Sequence, residues 1–252
     1  MNKNIVLNIV QEYYNDLGKE YPCNFKIQIT SDIENDYKKY ARYDKTPTVN
    51  NNYNAIVIPP ICNDDFIILL NNNKIQIRNL MDYLKAKQII IHELTHMDDF
   101  IEYSEILNSN NYLEFLKIEK HGHFTLWSEF HAKSMDSKYL YYGIMGEETP
   151  ENKNKLSNVI NNSFQNRINM LYTDCTSTDA YYKCYYLMRF LGELVVYQEI
   201  SPIFFNNRNL KEWFKESKWI YDLYILLINH KSLKDIYRYF DTMNEILSQN
   251  KL

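Results

Sequence analysis

The hydrophobic pattern of this chain changes once, and that change limits the possible folds more than any other feature. Up to about Arg78, short β-branched and apolar runs are separated by turn residues, as is typical of strands. From Asn79 onward, apolar residues recur at the spacing of a helix face. The sequence therefore predicts an α+β fold, with an N-terminal helix and small sheet followed by a mainly helical C-terminal half.

The N-terminal part contains one predicted helix and several predicted strands. The helix runs from about Asn4 to Leu17. The strands are Phe25–Thr30, Tyr53–Ile58 and Phe66–Leu70, and a further run, Lys74–Ile77, is a candidate to pair back across the preceding asparagines. Together these runs could form one small sheet.

Two segments of the helical half have both a start signal and an apolar face. Thr149-Pro150 combines an N-cap residue with a proline at the first helical position, and Ser232 with Asp235 resembles a capping box. We predict that the apolar face of each following helix lies in the core. The faces consist of Leu156, Ile160, Phe164, Ile168 and Leu171 in the first helix and of Leu233, Ile236, Phe240, Met243 and Leu247 in the second.

Composition argues against several classes of function. The net charge of −4 leaves no excess positive charge for a phosphate backbone or an anionic membrane surface, so we expect neither nucleic acid nor membrane as a partner. The most apolar window, Trp219–Ile228, is far shorter than the ~20 apolar residues that cross a bilayer. With five glycines and no G-x-G-x-x-G, a phosphate-binding loop is not expected. The four cysteines show no C-x-x-C spacing, which favours reduced thiols and a soluble, cytoplasmic protein.

The segment from Gln88 to His96 contains the pattern H-E-x-x-H. On a helix, the i, i+4 spacing of His92 and His96 places both imidazoles on one face, one turn apart, where both can bind the same metal ion. Glu93 projects beside them, where a carboxylate can take a proton from a water whose pKa zinc has lowered. The three isoleucines before His92 indicate a buried helix. The pattern predicts a zinc site with Glu93 as its general base.

A catalytic zinc site normally takes three protein ligands, so a third must come from elsewhere in the chain. The segment Phe124–Tyr142 lacks glycine and proline and is predicted to be a helix. Glu129 and Ala132 fall on one face of it; the carboxylate can bind zinc, and the small Ala132 lets two helices approach closely. Asp136 continues that face and is a candidate to orient a histidine ligand. We therefore predict Glu129 as the third ligand.

Two other residues compete with Glu129 for a role at the metal. Glu102 follows His96 at the spacing of the third ligand in H-E-x-x-H-x-x-G-x-x-H, but Asp99 replaces the glycine at which the chain would leave the helix. On an unbroken helix Glu102 faces elsewhere, so Glu129 is preferred. Met145 could imitate a Met-turn, although a lone methionine beside glycines is typically a loop residue that packs on the core.

Three further histidines lie close to the predicted ligand helix in the sequence. His121 and His123 flank Gly122 just before this helix; they could lie over the site and stabilise an oxyanion, or simply form a polar turn. His131 is two residues from Glu129 and therefore points away from it on a helix. None of the three is predicted to be a metal ligand.

The candidate ligands resemble those of the gluzincin group of zinc peptidases, in which the two histidines are followed by a glutamate on a later helix. The pentapeptide HELTH is that of the thermolysin family. The E-x-x-A spacing that begins at Glu129 is similar to that of ImmA/IrrE-like peptidases. The resemblance covers Ile89–His96 and, loosely, Ser128–Ala132. Thermolysin-like enzymes have an aspartate four residues after the third ligand, where this chain has Lys133.

The resemblance implies a zincin-like α+β fold. Its active-site helix would run from Asn79 to Tyr103 and its ligand helix from Phe124 to Tyr142. In zincin-like peptidases an edge strand beside the site holds the extended substrate by main-chain hydrogen bonds, and Phe66–Leu70 is the expected strand. The expected organisation is a zincin-like catalytic region, residues 1–148, with a helical region, residues 149–252, packed on it.

The function implied by the resemblance is that of a zinc-dependent metallopeptidase acting on a peptide or protein substrate. Zn²⁺ would polarise the carbonyl of the scissile bond, while Glu93 would activate water and then carry the proton to the leaving amine. The alternative is a metal-stabilised binding or regulatory module of the zincin fold that has lost turnover.

Overall fold

A computed structural model of the chain describes residues 2–21, 25–41, 49–60, 65–109, 111–115, 121–174 and 180–249. Contacts between Cα atoms divide the chain into two compact units, Met1–Lys117 and Ile118–Leu252. The predicted regions 1–148 and 149–252 were defined by role and not by contacts, and that division stays a prediction.

The first unit combines helices with a small sheet. Its elements are α1 (Lys3–Leu17), β1 (Phe25–Thr30), α2 (Ile33–Ala41), β2 (Ala55–Ile58), β3 (Phe66–Asn71), α3 (Leu80–Leu107) and α4 (Tyr112–Phe115).

The second unit is helical throughout its described residues. Its elements are α5 (His121–Met145), α6 (Pro150–Asp174), α7 (Ala180–Ile200), α8 (Asn207–Trp213), α9 (Lys218–Asn229), α10 (Leu233–Ile236) and α11 (Phe240–Gln249), with 3₁₀ turns at Lys215–Ser217 and Tyr237–Tyr239. The predicted α+β class, with a small N-terminal sheet and a mainly helical remainder, is confirmed.

The sheet has the strand order β1-β3-β2, with β3 parallel to β1 and antiparallel to β2. The prediction that Phe66–Leu70 is an edge strand is therefore wrong, because β3 is the central strand. All six of its residues are buried. An uninterrupted apolar run such as Phe-Ile-Ile-Leu-Leu is typical of a strand covered on both faces, whereas an edge strand with one solvated face alternates.

The run Lys74–Ile77 does not form the predicted fourth strand. The carbonyl oxygen of Asn71 accepts hydrogen bonds from the backbone N–H groups of Lys74 (3.1 Å) and Ile75 (2.9 Å), and its side-chain oxygen accepts one from the N–H of Asn73 (3.0 Å). Asparagine side chains favour such turns because they bond the backbone two residues on. The chain therefore turns directly after β3 and reaches α3 without pairing back.

Helix α2 covers one face of the sheet and is absent from the predicted elements. Its residues Ile33, Tyr37 and Ala41 recur at intervals of four and are buried against Ile67 and Leu69, the inward-facing pair of β3 on this side. The i, i+4, i+8 spacing is the signal that would have predicted this short helix. Alternation along β3 turns its other residues to the opposite face.

Helix α3 covers the predicted active-site helix and extends it by one turn. It begins after Asn79, whose side chain accepts a hydrogen bond from the backbone N–H of Asp82 (2.9 Å). It ends at Asn108, which adopts the left-handed conformation (φ 48°) that closes many helices. Both caps satisfy backbone groups that the helix itself leaves without partners.

The carboxylate of Asp98 is one of the groups of α3 that bind helix α1. Asp98 of α3 accepts hydrogen bonds from the hydroxyls of Tyr14 (3.1 Å) and Tyr13 (3.3 Å) and from Nζ of Lys19 (3.4 Å). Burial raises the pKa of Asp98, and the Lys19 charge and the Tyr14 hydroxyl lower it in part. Three donors on one partly buried acid fix the rotation of α3 about its own axis.

The predicted core faces of the second unit are confirmed. All five apolar residues of the predicted α6 face are buried, and four of the five in the C-terminal segment are buried, with Leu247 half-buried. The start signals also function as expected: Thr149 accepts a hydrogen bond from the N–H of Asn152 (3.2 Å), and Ser232 accepts one from that of Asp235 (3.3 Å).

Among the four cysteines, Cys184 on α7 is free and half-buried, and burial raises the pKa of its thiol. Cys23, Cys62 and Cys175 lie outside the described residues. Within the described ranges, no helix has the length and apolar content needed to span a membrane.

Helices α5 and α7 approach each other closely at Gly192. A Cβ added to Gly192 would lie 2.3 Å from the carbonyl oxygen of Phe130 and 3.0 Å from both the Lys133 Cβ and the Ser134 backbone nitrogen. No real Cβ atom tolerates such contacts with backbone, so only glycine permits this separation of the two helix axes.

We predict that Gly192→Ala lowers the free energy of unfolding by roughly 2 kcal/mol or more, because the new methyl group forces α5 and α7 apart. Gly122→Ala, in the first turn of α5, is the matched control: nothing lies within 4 Å of its added Cβ. It should change stability by less than about 0.5 kcal/mol. Urea denaturation of both variants measures the difference, and equally small effects would contradict the close approach.

Candidate metal centre

Two histidines of α3 point their ring nitrogens at the same place. The Nε2 atoms of His92 and His96 lie 3.0 Å apart, and the ring centroids are separated by 4.6 Å with an interplanar angle of 89°. This convergence follows from the helix, because residues i and i+4 share a face. The predicted pairing of the two imidazoles is thus present within the first unit.

The geometry of this pair fits two ligands of one metal ion. Two nitrogens bound at 2.0–2.1 Å to a tetrahedral zinc ion lie roughly 3.3 Å apart. The 3.0 Å separation of the Nε2 atoms is within a small side-chain adjustment of that value. Imidazole nitrogens are also among the donors that zinc prefers, so both the donor type and the spacing suit the ion.

The helix turn that carries His92 is buried. His92 and Glu93 are 7% and 8% exposed, and Ile90, Ile91 and Leu94 are fully buried. An ionisable carboxyl and an imidazole are costly to bury unless they bond to other groups or to a metal. Glu93 follows His92 directly in the chain, so its carboxyl emerges about 100° further round the helix.

Glu129 lies on α5 in the second unit, where its carboxylate is held by a cation of α7. Nη1 of Arg189 donates a hydrogen bond to Oε2 of Glu129 over 3.1 Å and a second one to the hydroxyl of Tyr185, also over 3.1 Å. Burial lowers the pKa of the Arg189 guanidinium, but Tyr185, Glu129 and Asp136 raise it by more, so the net direction is upward. The guanidinium stays charged.

The residues that share the predicted face of α5 with Glu129 are buried. Ala132 has no exposed surface, as expected for a small residue at a close helix contact. Asp136 is buried and accepts hydrogen bonds from Nζ of Lys133 (3.0 Å) and from the hydroxyl of Ser137 (3.1 Å). Its predicted role in orienting a histidine stays a prediction.

The two competitors of Glu129 have ordinary places in the fold. Helix α3 runs without a break through Asp99 and Glu102, so the chain does not leave the helix as a metzincin site requires. Met145 is the last residue of α5 and is buried there, directly before Gly146, whose positive φ of 68° ends the helix. Met145 thus packs in the core at a helix end.

The three histidines near Glu129 in the sequence differ in their surroundings. The ring of His131 stacks on Trp127 with centroids 5.1 Å apart. His123 lies 6.2 Å from the ring of Phe240, and its Nδ1 is buried without a hydrogen-bond partner among the described residues. His121 begins α5, and its side chain is outside what the structure describes.

Sequence reasoning missed Arg189, which the structure places on a candidate ligand. A signal for it exists: Arg189 is the one charge in the run Leu187-Met-Arg-Phe-Leu-Gly192, and a charge inside an apolar helical run needs a buried partner. The partner itself, Glu129, comes from another helix 60 residues earlier in the chain and cannot be found from local spacing.

Comparison with known proteins adds no identification: no family model, no curated protein and no solved structure matches this chain.

We predict that the purified protein binds about one zinc ion per chain and that His92→Ala or His96→Ala each lowers zinc affinity by more than the ~10–100-fold typical of losing an outer-shell partner. Elemental analysis after dialysis and competition with a chelator measure both. His230→Ala is the control, since that ring stacks on Tyr239. Full zinc occupancy in the double variant His92→Ala, His96→Ala would contradict the metal centre.

Proposed function

We propose that this protein is a zinc-dependent metallopeptidase that hydrolyses peptide bonds. The observation that carries the proposal is the 3.0 Å approach of the Nε2 atoms of His92 and His96 on a buried helix, with the buried carboxyl of Glu93 next to His92 in the chain. Two preorganised imidazoles and one adjacent acid are the parts that metal-assisted hydrolysis requires.

The proposed ligands are His92 and His96 on α3 and Glu129 on α5. Two imidazoles and one carboxylate are a ligand set found in catalytic zinc sites, which keep a fourth position for water or substrate. We propose zinc over other divalent ions on this donor chemistry. The contact of Arg189 with Glu129 also supports the role, because ligating carboxylates are usually hydrogen-bonded in turn.

A zinc ion at these ligands would act as a Lewis acid towards the scissile carbonyl and lower the pKa of a water molecule. Glu93 would take the proton from that water on a carboxylate oxygen and deliver it to the nitrogen of the leaving amine. Glu93 is 8% exposed, and this burial would limit the access of bulk water to the proton transfer. Glu93 is therefore proposed as a base and not as a ligand.

The proposed substrate is an extended peptide or a segment of a protein. Because β3 is central, strand addition by a substrate would have to use β1 or β2. We propose β2, whose residues Ala55–Ile58 pair antiparallel with β3 and contact α3, the helix that carries the two histidines. The cytoplasmic location and the lack of nucleic-acid and membrane partners stay predictions from composition.

We predict that Glu93→Gln lowers the rate of peptide hydrolysis by about 10²–10⁴-fold, because general acid–base catalysis contributes that much. Zinc content should be unchanged, since no ligand is removed. The rate is measured on a mixed peptide library with and without chelator, and Glu105→Gln, exposed on the same helix, is the control. Loss of zinc in Glu93→Gln, or normal turnover, would refute the assigned role. A parent that binds zinc without cleaving any peptide would favour the inactive binding module.

We predict that Glu129→Ala lowers zinc affinity far more than Glu102→Ala does, because only Glu129 is a proposed ligand. Each variant replaces a glutamate by alanine, one on α5 and the other on α3, so the chemical change is the same in both. Chelator competition gives both affinities, and circular dichroism confirms that each variant is folded. Similar affinities for the two variants would remove Glu129 from the metal centre while leaving the histidine pair in place.

A further inference from the structure

We propose that Arg189 is a positioning residue for the metal centre: its guanidinium holds Oε2 of Glu129 and directs the other carboxylate oxygen, Oε1, to the metal ion. This inference rests on the proposed function, because it assigns Arg189 a task only if Glu129 is a ligand. It goes beyond that function by naming the group that determines how the third ligand binds.

The contacts of Arg189 fix the guanidinium from two sides. Nη1 donates to Oε2 of Glu129 and to the hydroxyl of Tyr185, each over 3.1 Å. The guanidinium carbon also lies 5.3 Å from the centroid of the Tyr185 ring, within the range of a cation–π interaction. Tyr185 lies one turn before Arg189 on α7. The guanidinium is therefore held by a residue of its own helix as well as by Glu129.

The packing of α5 against α7 makes this contact rigid. Gly192 follows Arg189 by three residues and lies on the same side of α7. It touches the backbone of Phe130, the residue next to Glu129, at a distance that excludes any larger side chain. The backbones that carry Glu129 and Arg189 are therefore fixed at close range, and these two side chains have little room to separate.

Holding Glu129 in this way has a direct consequence for metal binding. A glutamate side chain loses rotamer freedom when it is fixed, and that loss already occurs during folding if Arg189 orders the side chain. With one oxygen bonded to Arg189, the carboxylate is expected to bind a metal through a single oxygen. A preordered ligand binds more tightly than one that must be ordered by the ion itself.

A second arginine of the same helical unit provides a matched comparison. Nη2 of Arg167, on α6, donates to Oε1 of the buried Glu193 over 3.2 Å, so it forms an ion pair of the same chemistry. Glu193 also accepts a hydrogen bond from the hydroxyl of Tyr141 over 2.8 Å. Replacing Arg167 therefore breaks an arginine–glutamate pair of the same chemistry without removing a contact of Glu129.

The experiment compares zinc affinity in Arg189→Met and Arg167→Met, measured by chelator competition on the full chain. Methionine keeps an apolar stem and removes the donors. We expect zinc affinity to fall about 10–100-fold in Arg189→Met, as for the loss of an outer-shell partner. It should stay within about 3-fold of the parent in Arg167→Met, because Arg167 bonds Glu193 and the bond of Arg189 to Glu129 is kept. Both variants should lose similar stability when unfolded without metal.

Arg189→Lys tests the same idea if Arg189→Met does not fold, because it keeps the charge and one donor. If Arg189→Met folds, the zinc affinity of Arg189→Lys should lie between those of the parent and Arg189→Met. If Arg189→Met does not fold, Arg189→Lys should bind zinc more weakly than both the parent and the control Arg167→Lys. A double-mutant cycle with Glu129→Ala gives the decisive result. In the Glu129→Ala background, replacing Arg189 should leave zinc affinity unchanged, since Arg189 acts only through that carboxylate.

Failure of this inference can be told apart from failure of the proposed function. If the parent binds no zinc, or if Glu129→Ala binds it as the parent does, the proposed metal centre itself is wrong. If Glu129→Ala loses affinity while Arg189→Met keeps or gains it, the positioning role alone is overturned. A gain would mean that the charge of Arg189 repels the ion by more than its hydrogen bond orders the ligand.

Discussion

Polar side chains on the buried part of α3 are costly unless they bond to other groups of the protein, because the helix is otherwise lined with isoleucine, leucine and methionine. Thr95 satisfies its hydroxyl by donating to the carbonyl oxygen of Ile91 over 2.8 Å. Asp98 is held by tyrosines of α1. The hydroxyl of Tyr13 lies 3.4 Å from Oγ1 of Thr95 and 3.3 Å from Oδ2 of Asp98, so one face of α3 is held against α1 and the rotation of α3 is fixed. The direction of the two imidazoles is therefore fixed by groups that take no part in chemistry.

The second unit uses the same principle with charges in place of hydroxyls. Helix α7 carries Arg189 and Glu193 within an apolar sequence, and each is paired with a residue of a neighbouring helix, Glu129 on α5 and Arg167 on α6. Removing one partner of such a pair leaves an uncompensated charge, which is strongly destabilising. Alternative packings that separate these pairs are thereby disfavoured, and α7 is held in register with both neighbours.

The parts of this structure that the sequence predicted well are those determined locally. The H-E-x-x-H spacing, the caps at Thr149 and Ser232 and the apolar face of α6 all depend on residues within a few turns of one another. The position of β3 in the sheet does not, because strand order depends on pairing between segments far apart in the chain. Its uninterrupted apolar composition carried the information that both faces are covered, yet an edge position was predicted from a family resemblance.

Local sequence also cannot tell a structural ion pair from one that serves a site. The two glutamates that pair with arginines in this unit must be compared by their contacts. On one oxygen, Glu193 accepts hydrogen bonds from both the Tyr141 hydroxyl and Arg167, and that hydroxyl lies 3.0 Å from the hydroxyl of Tyr197. Burial raises the pKa of Tyr141, so it remains a neutral donor across the physiological range. Such a network joins three helices through hydrogen bonds and serves packing. Glu129 accepts a hydrogen bond from Arg189 and is the acid for which we propose a role at the metal, whereas the contacts of Glu193 account for it as a link between helices.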